Sequence, residues 1–262
     1  MSPILIILAI TAVGATAALV TFIVHRRIEL ELRRHYHEVS GVVFLQLGIA
    51  FSVLLAFVFN GVWTGYTDAA RAIDHECGAL HETAILATTL RGEQAQLVLS
   101  AERDYIRSVV DSEWRIMARD RTESIETDNK LRNLIIDVAN LRPADPNAVV
   151  ARGQMLPLLA TAHAYRETRI FEANSGVPAT IWLVLAAFSI VLTLCASFSS
   201  FQFKAASVVI AAIFASGIAS VLVMVRLLDF PFEGPLALNA ADFSNTLVKV
   251  TNLLSGGVPQ VQ

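Results

Sequence analysis

Long apolar stretches on either side of one large polar segment dominate the pattern of this chain. A helix that crosses a ~30 Å bilayer core needs about 20 mostly apolar residues, because each residue adds about 1.5 Å of rise. Four stretches meet that requirement, namely residues 3–24, 41–63, 178–198 and 205–228. We therefore predict four transmembrane helices, called spans one to four below.

The polar segment, residues 64–177, carries the spacing of amphipathic helices. Apolar residues recur every three or four positions within residues 70–87, 97–109 and 131–141. A fourth helix is predicted over residues 149–174, with a kink or break at Pro157. No proline separates span two from the first of these helices, so residues 41–90 can form one long helix.

The predicted fold is an all-α membrane protein with about four extramembrane helices inserted between spans two and three. Long helices continue out of the membrane. The chain divides into residues 1–63 with spans one and two and an Arg-rich loop, the extramembrane region 64–177, residues 178–228 with spans three and four, and a C-terminal tail, 229–262.

Composition supports a membrane protein. Of the 262 residues, 55% are hydrophobic and 16% are charged, and the mean hydropathy is +0.57. Soluble domains carry about 25% charged residues, so this chain does not fit that class. A net charge of −3 offers no basic surface for nucleic acid. The expected surroundings are a lipid bilayer, with no nucleic-acid partner.

Basic residues beside the spans indicate an orientation. Residues 25–40, predicted to be a loop after span one, contain Arg26, Arg27, Arg33 and Arg34, and the connection between spans three and four contains Lys204. The positive-inside rule places both connections in the cytoplasm. We therefore expect a multi-pass protein of the bacterial inner membrane whose region 64–177 is extracytoplasmic.

Small residues on spans one and four suggest that these two helices pack closely. Gly14 and Ala18 are four apart on span one, and Ala212, Ser216 and Ser220 repeat the same spacing on span four. Small residues at this spacing allow two helices in a membrane to approach one another. Spans one and four are therefore predicted to be packing helices.

One face of span two is polar at both ends and apolar in the middle. The residues that share this face at helical spacing are Gln46, Ile49, Val53, Phe57, Asn60, Thr64 and Thr67. If several copies surrounded an axis, Ile49, Val53 and Phe57 would form a hydrophobic gate, because apolar constrictions close by dewetting. Gln46, Asn60 and Thr64 would then be polar pore contacts. The alternative is a helix–helix seam in which Gln46 and Asn60 hydrogen-bond to a neighbour.

Motifs for chemistry are absent from the sequence. It contains no phosphate-binding glycine loop, and His75-Glu76 lacks the second histidine of a metalloprotease because Ala79 stands there. Cys77 and His81, with Asp74 one turn earlier, could hold part of a zinc site. We instead interpret Cys77 as a packing residue, because nothing indicates the remaining ligands. The expectation is no metal, no cofactor and no enzymatic activity.

The segment after span four holds two prolines, a glycine and two aromatic residues, and it cannot continue a helix. We predict a structured exit turn over residues 230–235. Its acidic neighbours Asp229 and Glu233 are expected to pair with Arg226 or Arg169.

Three motifs resemble the bestrophin-like domain family. They are Leu54-Leu55-Ala56-Phe57 followed by Trp63, Tyr66, Ala69 and Glu76; Gly176-Val177-Pro178 with Trp182; and Leu228-Asp229-Phe230-Pro231-Phe232-Glu233-Gly234. The resemblance covers residues 38–250. Bestrophins are ring-shaped anion channels whose second span lines the pore with a hydrophobic neck. The resemblance therefore implies a neck role for Ile49, Val53 and Phe57. Calcium gating is not implied, because no acidic cluster resembles the calcium clasp.

We accordingly predict a homo-oligomeric bestrophin-like ion channel, with a pentamer as one candidate assembly. The permeant ions would be chloride or other small anions. The alternative is a non-conducting membrane protein whose helical extramembrane region binds a partner or senses the cell envelope.

Overall fold

The computed structural model describes residues 3–27, 30–198 and 204–256, with side chains described from residue 41 onward in the second helix. Within this part of the chain the structure is helical, with no strand. The helices are α1 Pro3–Arg27, α2 Leu30–Ala87, α3 Glu93–Ser108, a π-helical turn Val109–Glu113, α4 Trp114–Asp120, α5 Ile125–Asn140, α6 Pro146–Asn174, α7 Ala179–Ser197, α8 Lys204–Leu228 and α9 Ala241–Leu254. The prediction of an all-α membrane protein is confirmed.

Within the described residues, four helices are long and apolar enough to cross a membrane, and they match the four predicted spans, although span three was predicted one residue longer than α7 at each end. The candidate segments are Ile4–Arg27, Gly41–Ala87, Ala179–Ser197 and Ala205–Leu228. The second belongs to α2, a single helix of 58 residues, about 87 Å long. α2 begins at Leu30, so the prediction of a loop over residues 25–40 is wrong. Residues 30–40 contain no proline or glycine and include good helix formers, so the helix extends back through them.

The chain forms two compact units. The first unit comprises residues 1–64 and 176–229, and the second comprises residues 65–175 and 230–262. α2 contributes residues to both. The segment boundaries predicted from the sequence are drawn differently and stay predictions.

The first unit is held by close contacts between its apolar helices. A Cβ atom added to Gly14 of α1 would lie 3.3 Å from the carbonyl oxygen of Ala212 and would collide with the Ser216 hydroxyl, both on α8. The glycine therefore permits the close approach that the small-residue spacing predicted. Thr21 of α1 and Ser197 of α7 share a buried hydrogen bond of 2.9 Å, which satisfies both hydroxyls inside the apolar layer.

The second unit has a hydrophobic core of its own. Apolar residues of α2, α3, α5, α6 and α9 are buried together, among them Leu80, Ile106, Leu134, Leu159 and Phe243. Ser124 caps the start of α5 by accepting a hydrogen bond from the Thr127 amide, and Asp145 caps α6 in the same way. α6 runs unbroken through Pro157, so a break at this residue does not occur.

The tail predicted for residues 229–262 contains a further helix, α9. Phe243 of α9 packs against the Trp114 ring, with centroids 5.8 Å apart, and Phe232 of the exit turn contacts the same ring at 5.3 Å. The indole nitrogen of Trp114 donates to the carbonyl of Leu238 at 3.3 Å. Phe232 of the exit turn and Phe243 and Val250 of α9 are thus part of the second unit's core.

The acidic residues around the exit turn have different partners. Asp229 pairs with Arg226 at 3.2 Å, as one of the predicted alternatives stated, and also accepts from the Val177 amide at 2.7 Å. Glu233 pairs with Arg121, whose guanidinium also lies 3.4 Å above the Phe230 ring. The predicted pairing of these acids with Arg169 is wrong, because that arginine is buried elsewhere in the second unit.

Candidate pore surface and buried ion network

The six predicted site residues lie on one exposed face of α2. Ile49, Val53 and Phe57 are 59%, 52% and 74% exposed, and Gln46, Asn60 and Thr64 are exposed as well. We call these six residues the α2 stripe. From Gln46 to Thr64 it covers about 27 Å along the helix, which is close to the thickness of a bilayer core.

The opposite face of the same helix is buried within the first unit. Phe51, Val58 and Val62 are buried, and Phe51 stacks on Phe188 of α7 with ring centroids 6.2 Å apart. The α2 stripe therefore points away from the chain's own packing. Among the four candidate spans, the most apolar window of α2 also has the smallest buried share, 11% against 17–22%.

The stripe's chemistry divides into an apolar middle and polar ends. Ile49 to Phe57 forms an apolar segment about 12 Å long. No charged residue occurs from Gly41 to Thr67, so the polarity of the stripe comes from the amides of Gln46 and Asn60 and the hydroxyl of Thr64. Exposed amides are costly against lipid tails, so Gln46 and Asn60 require water or another protein surface.

A buried ion network occupies the second unit. Arg169 of α6 donates to both carboxylate oxygens of Glu76 on α2, at 3.0 and 3.2 Å, and to Glu113 at 2.9 Å. The Tyr105 hydroxyl donates to Glu76 at 2.5 Å. All four side chains are fully buried. One guanidinium thus joins α2, α6 and the π-helical turn.

Arg166 extends this network toward α5. Its side chain is fully buried, donates to Glu113 at 2.6 Å, and reaches Asp128 at 3.0 Å. The Ser124 amide also donates to Glu113, at 3.3 Å. Glu113 therefore accepts from two arginines and from the start of α5. We call Glu76, Tyr105, Glu113, Arg166 and Arg169 the buried ion network.

The π-helical turn explains how Glu113 reaches this network. Tyr105, Val109, Glu113 and Met117 are four residues apart and all are buried. In a regular α-helix, steps of four drift around the axis by about 40° each, since the helix repeats every 3.6 residues. The wider π turn at Val109–Glu113 counteracts this drift and keeps Glu113 and Met117 on the inward face.

Burial and pairing act in opposite directions on the network's arginines. Burial alone would lower the pKa of Arg169, but Glu76 and Glu113 raise it above its ordinary value. Burial and the charge of Glu76 raise the pKa of the Tyr105 hydroxyl well above its ordinary value. Arg169 therefore stays charged and Tyr105 stays a donor at any physiological pH. The network therefore binds helices together through ion pairs and hydrogen bonds.

Glu102 is an exception among the buried acids. Its side chain is fully buried, and neither carboxylate oxygen has a hydrogen-bond partner within the described part of the chain. Burial raises its pKa well above the ordinary value of 4.5. The group is thus held as a neutral acid over a wider pH range than an exposed glutamate.

Sequence reasoning missed the buried ion network, although a signal was present. Leu159, Ala162, Arg166, Arg169 and Ala173 recur at spacings of three and four, and all are buried. The two arginines therefore occupy core positions of an amphipathic helix. Charged residues at such positions are almost never buried unless they are paired.

Within the described part of the chain, Asp74, Cys77 and His81 do not come together as a group of potential metal ligands. Cys77 is buried in the apolar core, as the packing interpretation proposed. Among the described residues, one group of three potential metal ligands does come together, namely Asp128, His163 and Glu167, which the sequence analysis did not identify.

Comparisons with known proteins agree with the motifs. The bestrophin-like domain model matches residues 11–243. A crystal structure of a bacterial bestrophin homolog from Klebsiella pneumoniae is 14% identical with a TM-score of 0.74, covering 97% of this chain and 100% of that chain. A variant of that homolog gives the same identity and TM-score over 95% and 98%. A membrane protein variant reaches a TM-score of 0.76 at 14% identity, over 97% and 100%. No curated protein sequence matches this chain.

Proposed function

Because this chain belongs to the bestrophin-like family, we propose that it forms a homo-oligomeric ion channel whose pore is lined by the α2 stripe. The observation that carries the proposal is the outward exposure of Ile49, Val53 and Phe57, opposite a buried face of the same helix. A pore made from one helix per subunit requires a closed ring of copies. A pentamer is the assembly we favour.

The three apolar residues form the gate in this proposal. Facing copies of Ile49, Val53 and Phe57 surround a neck about 12 Å long, from which water withdraws when it is narrow. Gln46 at one end and Asn60 with Thr64 at the other lie in wet mouths. This placement meets the requirement of the two amides for polar surroundings.

Small anions such as chloride are the proposed permeant ions. From Gly41 to Thr67 α2 carries no carboxylate to attract a cation. The amide of Asn60 and the hydroxyl of Thr64 carry hydrogen-bond donors that can replace part of an anion's hydration shell. The resemblance to anion-conducting bestrophins supports the same choice.

Recording from the purified protein tests conduction and selectivity together. In a planar bilayer with a KCl gradient, we expect discrete openings whose current reverses near the chloride equilibrium potential. Reversal near the potassium equilibrium potential would support a pore but would contradict the proposed selectivity for anions. Native mass spectrometry on the same preparation should give a ring of identical chains, and a monomer would contradict a pore of this design.

The proposed orientation places the second unit outside the cytoplasm of a bacterial inner membrane, since arginines follow α1 at Arg26 and Arg27. An Arg119→Cys variant without the native cysteines tests this, because Arg119 is 86% exposed. An impermeant maleimide should label it in intact spheroplasts. Labelling only after lysis would place the second unit in the cytoplasm and contradict this orientation.

Recording in a bilayer, and not labelling, separates the two candidate functions. A non-conducting protein whose extramembrane region binds a partner would present the same exposed second unit. It would give no current in a bilayer that contains the folded oligomer. The α2 stripe favours conduction, because a partner-binding protein has no need of apolar and polar positions arranged along a membrane axis.

A further inference from the structure

Three metal-ligating side chains converge where α5 and α6 meet in the second unit. His163 and Glu167 are one turn apart on α6, and Asp128 lies in the first turn of α5. One ligand atom from each lies within 4.8 Å of the other two. Two ligands at about 2.1 Å from a shared zinc ion lie at most about 4.2 Å apart, so small side-chain rotations complete the geometry.

We propose that Asp128, His163 and Glu167 form a binding site for a divalent transition-metal ion, with Zn²⁺ as the cation it takes. One imidazole nitrogen and two carboxylate oxygens suit Zn²⁺, and a water molecule would complete four-fold coordination. Mg²⁺ and Ca²⁺ prefer sites made only of oxygen atoms. The proposal replaces the sequence-based expectation of no metal, and it does not depend on whether the protein conducts ions.

Asp128 is held in place by the buried ion network. Its Oδ1 atom accepts from the fully buried Arg166 at 3.0 Å. Arg166 lies on α6 between His163 and Glu167, so the same helix that supplies two ligands also fixes the third. Such outer contacts orient a ligating carboxylate and strengthen a metal site.

Arg132 competes with a metal ion for the carboxylate of Asp128. It contacts the other carboxylate oxygen of Asp128, Oδ2, at 2.7 Å, one turn along α5. Its side chain is 66% exposed, and exposed ion pairs contribute little to stability. Displacement of Arg132 into solvent frees Oδ2 for the metal, while Arg166 keeps Oδ1.

The local charge also favours a cation. Glu123, half exposed, lies 3.5 Å from Arg166, and Glu167 lies at the same distance from it. Together with Glu113 and Asp128, they place four carboxylates around the Arg166 guanidinium, so the displacement of Arg132 leaves an excess of negative charge here. The ligands are partly exposed, so a metal ion can enter from solvent.

Isothermal titration of the detergent-solubilised full-length protein with zinc chloride at neutral pH tests the site. We expect one Zn²⁺ per chain in the wild type. His163→Ala and Glu167→Gln should each weaken binding at least tenfold, whereas Arg132→Gln should strengthen it several-fold. Magnesium chloride should bind at least tenfold more weakly than zinc chloride.

His75→Ala is the matched control, because it removes an exposed histidine that stacks on Tyr165 of the same α6 helix. It should leave the zinc affinity unchanged. Circular dichroism and a sizing column establish that each variant is folded. No zinc binding by the wild type, or an affinity that His163→Ala and His75→Ala change equally, would overturn the proposal.

Discussion

The two halves of α2 differ in whether their large side chains are exposed or buried. The membrane half ends at Thr64 in the first unit, and the outer half begins at Gly65 in the second unit. The membrane half exposes large apolar residues, Ile49, Val53 and Phe57, whereas the outer half buries Glu76 completely. The buried Glu76 side chain has its hydrogen-bond partners, Arg169 and Tyr105, within the same chain. The exposed side chains of the membrane half point away from the chain, so their partners must be lipid, water or further copies. The outer half of α2 therefore has a structural role, whereas the exposed face of the membrane half must serve another purpose.

Removal of Arg169 should have the largest effect, because the outer half depends on buried charge pairs. Arg169→Gln leaves Glu76 and Glu113 buried without their shared partner, which should lower the free energy of unfolding by about 3–5 kcal/mol. Chemical denaturation in detergent measures the loss. Arg119→Gln, which removes an arginine that is 86% exposed and paired with Asp120, should leave the midpoint unchanged. Equal effects of the two variants would contradict a structural role for the network.

Among the described residues of the second unit, Glu102 is the one fully buried acid whose carboxylate oxygens have no hydrogen-bond partner. Its contribution to the free energy of unfolding depends on pH. Below its ordinary pKa of 4.5, Glu102 is protonated in both the folded and the unfolded protein. Above that pH the unfolded state ionises while the folded state keeps the proton. The wild type should therefore lose about 1.4 kcal/mol of unfolding free energy per pH unit until the folded pKa is reached.

Glu102→Gln removes this titration. The variant should match the wild type near pH 4 and become progressively more stable than it as the pH rises toward neutral. Urea denaturation at several pH values measures the difference between the two proteins. A difference that stays constant across that range would show that Glu102 is ionised in the folded state and has a partner of its own.

The first unit depends on close packing instead of charge. Gly14→Leu introduces a side chain where α1 and α8 touch, and overpacking of this kind costs about 1–3 kcal/mol. Ala15→Leu places the same leucine side chain at an exposed position of α1 and should cost much less. Thermal midpoints in detergent compare the two. If Ala15→Leu were as harmful as Gly14→Leu, the close approach would not explain the glycine.

The sequence was sufficient for the membrane helices and for the continuity of α2 beyond span two, although not for the start of α2 at Leu30. Apolar stretches of about 20 residues have few alternatives to a membrane helix, and α2 meets no proline from Leu30 to Ala87. The stripe residues were also identifiable, because helical periodicity alone decides which positions share a face. Whether that face would point away from the chain depended on packing against α7, which one sequence does not reveal.

The buried ion network was harder to predict. Arg169 pairs with Glu76 across 93 positions and with Glu113 across 56. The choice of partner depends on how the helices pack, and the position of Glu113 depends on a π-helical turn with no clear sequence signature. α9 was missed for a different reason. The prolines of the exit turn drew attention to the start of the tail, although Phe243 and Val250 lie seven apart on one face beyond it.

The most direct test of the α2 stripe is the single-channel conductance of a neck variant. Val53→Ala combined with Phe57→Ala widens and wets the apolar neck, so the account predicts a larger conductance or a higher open probability than in the wild type. Val58→Ala combined with Val62→Ala removes similar side chains from the buried face and should leave the conductance of each opening unchanged. Currents that are the same in the neck variant and the wild type, or the absence of current in both, would contradict the assignment of this face to a pore.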